Sequence, residues 1–209
     1  MAENAITMLG LQASASPLVL VHGLWDTPRL FRRLVERLEG RRDPLLTPHL
    51  PHGLGVRRLE ELAGLLGSQI ETAFGHEQPI DLLGFSMGGV IARTWIQLQG
   101  GHRRTRRFLS VGSPQQGTWL AQPWPGRLLA SVADMKVGSS LLRRLNAETR
   151  LLEPIDCCSF YCAADLMVVP GWRAVLPVGR QTGLPVLSHK QLIRHPAALE
   201  PLVAELLRP

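Results

Sequence analysis

Short apolar runs alternate with longer segments whose apolar residues recur at helical spacing, and this alternation limits the chain more than any other feature. "SPLVLVHG" (16–23), "DPLLTPHLPHG" (43–53), "PIDLLGFS" (79–86), "RRFLSVGSP" (106–114) and "CCSFYCAAD" (157–165) read as strands, the second of them short and running into a loop. "DTPRLFRRLVERLEG" (26–40), "VRRLEELAGLLGSQIETAFG" (56–75), "MGGVIARTWIQLQGG" (87–101) and "PAALEPLVAELL" (196–207) read as helices between and after them. Strands that are apolar on both faces need cover on both sides, and consecutive parallel strands need a crossover, which helices supply. The chain is therefore predicted to be an α/β fold with a mostly parallel sheet and helices on both faces. In the first helix Asp26 or Thr27 is the expected cap, Pro28 suits the first turn and Gly40 the end.

The length of 209 residues suits a single domain over 1–209, and 45% hydrophobic residues can build a substantial core. No apolar run approaches the roughly 18 residues of a membrane-spanning helix. The first dozen residues read as a loose lead-in without the basic n-region of a secretory signal, so a cytoplasmic location is expected. The formal charge is +6, carried almost entirely by arginine, since Lys136 and Lys190 are the only lysines. The arginines are scattered in pairs without a nucleic-acid motif, which argues against a nucleic-acid partner. A solvated surface is the simpler reading, with peripheral contact to an anionic membrane through Arg103, Arg104, Arg106 and Arg107 as the alternative. Cys157, Cys158 and Cys162 lie in one apolar segment and read as buried free thiols. No histidine stands at zinc-ligand spacing from them, and neither metal nor organic cofactor is expected.

One stretch breaks the alternation. Residues 115–154 contain Trp119, Trp124, Leu128, Leu129, Val132, Leu141, Leu142 and Leu145 and read as short helices inserted between two strands, forming either a packed surface layer or a small cap over a pocket.

The chemistry concentrates at "DLLGFSMGG", where Ser86 stands between Gly84 and Gly88. A G-x-S-x-G match alone is weak, but here a strand precedes it and a helix follows. That is the context of a nucleophile elbow, whose tight turn tolerates only small residues two before and two after the serine. A serine hydroxyl needs a base, and the base an orienting carboxylate, in the chain order Ser, Asp or Glu, His. Asp165 leaves the sheet at a strand's carboxyl end and is the candidate acid, although Asp is also a common turn residue. Asp156 and Glu153 belong to the opposite edge. His189, in the loop "PVLSHKQL", is favoured as base over His195, which precedes Pro196 at a helix entry. An oxyanion would be met by the backbone N–H of Met87 and by that of Leu24, brought close by the turn at Gly23, with His22 shaping the loop.

"LVLVHGLWDTPRLFRRL", "DLLGFSMGGVIARTW", "LSVGSPQQGTWLA", "YCAADLMVVP" and "LSHKQLIRHPAALEPL" resemble the corresponding blocks of the α/β-hydrolase superfamily, most closely its small bacterial lipase and esterase group. The resemblance implies an α/β-hydrolase fold with a small helical cap, Ser86 as nucleophile, Asp165 as acid, His189 as base, and Leu24 and Met87 as oxyanion donors. It also implies that Gln115 and Gln116 rim the pocket, and Trp25 and Trp119 are further rim candidates. The expected activity is hydrolysis of carboxylic esters of hydrophobic acyl groups, on a small-molecule or lipid substrate. A thioesterase or acyltransferase with the same triad and a non-catalytic binding module are the alternatives. Arg57 and Arg58 are the only arginines that the connectivity puts near a pocket; "GGHRRTRR", Arg41 and Arg42 fall at the far end.

Overall fold

Six strands pair side by side, every neighbouring pair parallel: β1 (Leu18–Val21), β2 (Leu45–Leu46), β3 (Ile80–Phe85), β4 (Thr105–Val111), β5 (Asp156–Tyr161) and β6 (Arg180–Gly183), in the order β2-β1-β3-β4-β5-β6. The computed structural model describes residues 16–126 and 128–208, so the lead-in at the N-terminus lies outside the described residues. The chain places β2 on one side of β1 and then β3 on the other. The loops after β1 and β3 therefore flank a topological switch point at the carboxyl ends of the strands, where α/β sheets gather their ligands.

Alternate strand residues feed two separate cores. Val19, Val21, Ile80, Leu82 and Phe108 face one layer, and Leu18, Leu20, Leu83, Phe85 and Leu109 the other. Helices α1 (Arg32–Leu38) and α6 (Pro196–Leu206) cover the second face; α2 (Leu59–Phe74), α3 (Met87–Leu98), α4 (Ala130–Asp134) and α5 (Ser140–Ala147) cover the first. Cys157, Cys158 and Cys162 are buried free thiols, and burial pushes the Cys157 thiol up to about 12 and that of Cys158 to about 11, so both stay protonated and unreactive.

Local details depart from expectation. The first helical segment opens as a single 3-10 turn over Pro28–Phe31. Its N-cap Thr27 makes no side-chain cap bond, and it ends at Glu39, already left-handed at φ 51, just before Gly40. Asp26 does not cap it; its carboxylate faces Lys190 at 3.8 Å. The second helix begins at Leu59 rather than Val56. β6 has no counterpart in the apolar pattern because "RQTG" is a polar edge strand, paired on one side only, to β5. His195 enters α6 as read from the sequence, its Nδ1 accepting from the Ala197 N–H at 3.2 Å.

The 115–154 stretch divides in two. Its second half packs into the first-face core through Leu141, Leu142, Leu145 and Leu152, whereas Trp119, Trp124 and Leu128 of the first half are exposed. Arg93 on α3 ties this stretch down. It is wholly buried and donates to Gln97 Oε1 (2.6 Å), Gln115 O (3.1 Å), Leu145 O (3.1 Å) and Asn146 Oδ1 (2.9 Å). Burial lowers its guanidinium to about 10, still charged at neutral pH.

The arginines at the amino ends of the strands are committed to the fold. Arg42 and Arg106 share Asp81, Arg107 and Arg180 share Glu205 and Asp156, and Arg104 donates to Gly75 O and Gln78 O. Arg104 and Arg107 are buried and Arg106 is held on Asp81, so three of the four arginines that the sequence offered to an anionic membrane are committed to the fold, while Arg103 is exposed. Arg106 and Arg107 turn toward carboxylates at the starts of β3 and β5 and on α6, and Arg104 toward two carbonyls.

Removing the Arg93 guanidinium leaves the buried Gln115 carbonyl and Gln97 Oε1 without this donor, whereas Leu145 O keeps Gln97 Nε2 (2.7 Å) and the exposed Asn146 can turn to water. Arg93→Met is expected to lower the unfolding free energy by about 3 kcal/mol, read as a lower urea midpoint. An unchanged midpoint would mean that the insertion is held by its leucines alone.

Candidate active site

Ser86 is the N-cap of α3, and the strand-to-helix turn forces it to φ 54, ψ −130, a region that non-glycine residues rarely occupy. Crowding explains the flanking glycines. A Cβ on Gly84 would lie 2.3 Å from Gly89 Cα, and one on Gly88 would lie 2.1 Å from Val21 O. Gly89, which the motif does not include, is equally constrained, since a Cβ there would meet Ser113 Oγ at 2.0 Å. Ser86 is half-buried while its neighbours in β3 and α3 are buried, so the turn brings this one hydroxyl toward solvent at the carboxyl edge.

Asp165 lies four residues beyond β5. Its Oδ1 accepts from the N–H groups of Met167 (2.8 Å) and Val168 (3.1 Å), and its Oδ2 lies 2.7 Å from His189 Nδ1. A carboxylate is acceptor-only, so Nδ1 carries the proton and Nε2 is left with a free lone pair. His189 Nε2 is buried and has no hydrogen-bond partner among the described residues. The imidazole stacks at a tilt on Phe85, the residue before Ser86, with ring centroids 4.8 Å apart. The sequence reading missed Gly112. Its φ is +54, and a Cβ there would sit 2.6 Å from Leu192 Cδ1 and 3.3 Å from His189 Cε1, so the end of β4 has room for the imidazole only because this residue is glycine. A glycine directly after an apolar strand was the available signal. Ser86 N–H donates to Val111 O (2.9 Å), so the serine and the histidine both rest on this strand end.

Gly23 faces the serine: a Cβ on it would lie 2.9 Å from Ser86 Cβ and 3.3 Å from Ser86 Oγ. The Leu24 N–H, on the next residue, makes no hydrogen bond among the described residues. Met87 opens α3, where amides lack intrahelical acceptors. Histidines hold this loop. The Leu50 N–H donates to His22 Nε2 (3.1 Å), so the His22 proton sits on Nδ1, which donates to Gly23 O (3.0 Å). The Trp25 N–H donates to His52 Nε2 (3.0 Å), a partner the sequence did not disclose. Trp25 is left-handed at φ 59 and its side chain is exposed.

The remaining sequence candidates separate. Trp119 is exposed in the first half of the insertion, and Gln116 is joined to the loop after β5, its N–H donating to Arg173 O (3.0 Å) and its Nε2 to Val175 O (3.1 Å). Gln115 is wholly buried with Nε2 donating to Ser110 Oγ (2.9 Å), so it is a core residue and the rim reading is corrected: the chain turns inward there to reach Arg93. Arg58 is paired with Asp134 (3.0 Å). Among the described residues no group of three or more His, Cys, Asp or Glu is arranged to hold a metal ion.

Burial lowers the pKa of His22, assisted by His49 and His52 and opposed by the Gly23 carbonyl and Asp26; burial also lowers that of His52. A histidine kept neutral by folding costs nothing above its unfolded pKa. Below it the unfolded state binds more protons, so stability falls as pH drops through about 6.5 toward the lower folded value. The urea midpoint is expected to fall over that window, and His22→Asn, whose amide oxygen can still accept from Leu50 N–H, is expected to flatten the fall. An unaltered slope would remove His22 from the explanation.

Comparison with known proteins agrees with this architecture. A Bacillus licheniformis lipase, BlEst2 in its mature form, superposes with a TM-score of 0.73 at 16% identity, covering 94% of each chain. The RedJ thioesterase of the prodiginine biosynthetic pathway in Streptomyces coelicolor does so with a TM-score of 0.60 at 21% identity, covering 93% of this chain and 85% of that one. In sequence, the lysosomal thioesterase PPT2 of Homo sapiens is 27% identical over 112 residues, which is 52% of this chain but only 37% of that protein, so the match spans well under half of the relative's length. Residues 18–207 match the model of the alpha/beta hydrolase family, and the chain belongs to that family.

Proposed function

We propose that this protein is a serine hydrolase that cleaves carboxylic esters of hydrophobic acyl groups through an acyl-enzyme. The observation that carries the reading is the unpartnered, buried Nε2 of His189, held in its basic tautomer by Asp165 at 2.7 Å and stacked against the residue before Ser86. In this reading His189 Nε2 takes the Ser86 hydroxyl proton as Oγ forms a bond to the ester carbonyl carbon. The carbonyl oxygen becomes an oxyanion facing the N–H groups of Met87 and Leu24. The tetrahedral adduct collapses, the C–O bond to the alcohol breaks, and His189 returns the proton to the departing oxygen. A water molecule, deprotonated by the same nitrogen, then attacks the acyl-serine and releases the acid. Asp165 stays ionised throughout and stabilises the imidazolium.

The apolar side chains along the carboxyl edge, Trp25 and Trp119 among them, support a hydrophobic acyl group and give the first half of the 115–154 stretch the place of a small cap. A thiol leaving group is the second reading, favoured by the likeness to two proteins named as thioesterases.

Ser86→Ala is expected to reduce turnover of a nitrophenyl ester by about a millionfold and to abolish labelling by a fluorophosphonate probe; full activity in that variant would defeat the reading. Asp165→Asn can still accept from the Met167 and Val168 amides but no longer holds the imidazole tautomer, and is expected to lower kcat by about ten-thousandfold with little change in stability. Matched oxygen esters and thioesters of increasing chain length separate the two leaving groups, with kcat/KM rising with acyl length in either case.

A further inference from the structure

We propose that the carboxyl-edge face around Ser86 is a docking surface for an anionic lipid surface, made of an apolar ring and an adjoining arginine groove. The proposal rests on the proposed function for what is delivered to Ser86, but not for the docking itself.

Among the described residues, every large hydrophobic side chain that is strongly exposed lies in a loop following the carboxyl end of a strand. Trp25 (59% exposed) follows β1, Leu54 and Val56 follow β2, four from Trp119 to Leu128 follow β4, Leu166, Met167 and Trp172 follow β5, and Leu187 (79% exposed) follows β6. Single exposed apolar residues scattered over a surface are ordinary, but five loops converging on one face with none elsewhere make a patch. Four of these eleven, Trp25, Trp119, Trp124 and Trp172, are tryptophans, whose rings suit the boundary between water and acyl chains. The patch is pre-ordered. The Arg173 guanidinium lies 5.8 Å from the Trp119 ring centroid and 5.0 Å from that of Trp172, and Thr118 Oγ1 both donates to Met167 O (3.0 Å) and accepts from the Val169 N–H (2.9 Å). Neither tryptophan needs to collapse onto the other to be held.

Charge decides the occupant. The carboxylates of these loops are Asp26, Asp134 and Asp165. None is fully exposed, and each faces a base: Lys190 at 3.8 Å, Arg58 at 3.0 Å and His189 at 2.7 Å. Beside the ring, where the β1 loop enters α1 and the chain passes from His189 to α6, a concavity of about 610 Å³ is lined by Arg29, Leu30, Arg32, Arg33 and Arg194. Of these arginines only Arg32 has a carboxylate, Glu36 at 3.6 Å, and Arg33 instead donates to Arg194 O. A second copy of the chain would bring the same arginines together with only Glu36 and Glu39 of the adjoining wall to offset them. An uncharged interface would satisfy the ring and leave the groove without a counter-charge. Phosphate-bearing lipids satisfy both. No helix among the described residues is long and apolar enough to cross a membrane, so the contact is one of lying on the surface.

The test uses Ser86→Ala protein and co-sedimentation with phosphatidylcholine vesicles, with and without phosphatidylglycerol. Binding is expected only with phosphatidylglycerol and should weaken with added salt. Arg29→Glu with Arg33→Glu is expected to weaken it at least about tenfold, and Leu187→Ser about tenfold. On the active background both variants should hydrolyse a short soluble ester at the parent rate. Equal binding to both vesicle types, or insensitivity to the arginine reversals, overturns the proposal, as does a stable dimer that excludes vesicles. Vesicle binding by a wild-type protein that hydrolyses no ester supports the docking surface and removes the catalytic reading instead.

Discussion

The structure turns on a close approach of backbone to backbone at the switch point of the sheet. The first turn of α3 presses against the carboxyl ends of β1 and β3 at separations that leave no space for a Cβ on Gly84, Gly88 or Gly89, and Gly23 in the β1 loop closes over Ser86 from the other side. Because the contacts at Gly84 and Gly88 are with main chain, they do not adjust as side-chain packing does. They hold Ser86 in its left-handed conformation and fix the direction of α3, and with it the surface against which α2 and the 115–154 stretch pack. Arg93 carries this rigidity outward, since one buried guanidinium joins α3 to the insertion through the carbonyls of Gln115 and Leu145, the second of them shared with Gln97 Nε2.

The two ends of the sheet are built on opposite electrostatic plans. At the amino ends of the strands, Asp81, Asp156 and Glu205 are shared among Arg42, Arg106, Arg107, Arg180 and Arg208, so a basic stretch of sequence becomes a network of ion pairs. At the carboxyl ends the carboxylates are few and internally paired, and the exposed surface is apolar and basic. The loops at that end therefore do not repel an anionic or lipid substrate.

Much of this was legible in one dimension. Strands β1, β3, β4 and β5 announce themselves because a strand buried on both faces must be largely apolar, and α2, α3 and α6 because amphipathic spacing persists over several turns. The polar edge strand β6 did not, since its pairing depends on β5 and not on its own composition. Asp26 failed as a cap for a related reason: a short polar side chain at a loop end can serve either the following helix or a neighbour from another loop, and here Lys190 was within reach. Gln115 looked like a rim residue by its loop position and became a core residue because Arg93 needed a carbonyl there.

The sequence by itself determined the α/β architecture and the identity of the strained serine, because apolar period and the spacing of small residues are local properties that the chain carries wherever it goes. Only the tertiary structure decided which histidine meets which carboxylate, why Gly112 must be glycine, which arginines are free, and that exposed hydrophobic residues from five distant loops share one face. Those are relations across sheet pairing, and parallel strands bring together the ends of segments separated by whole helices, so no stretch of sequence contains them.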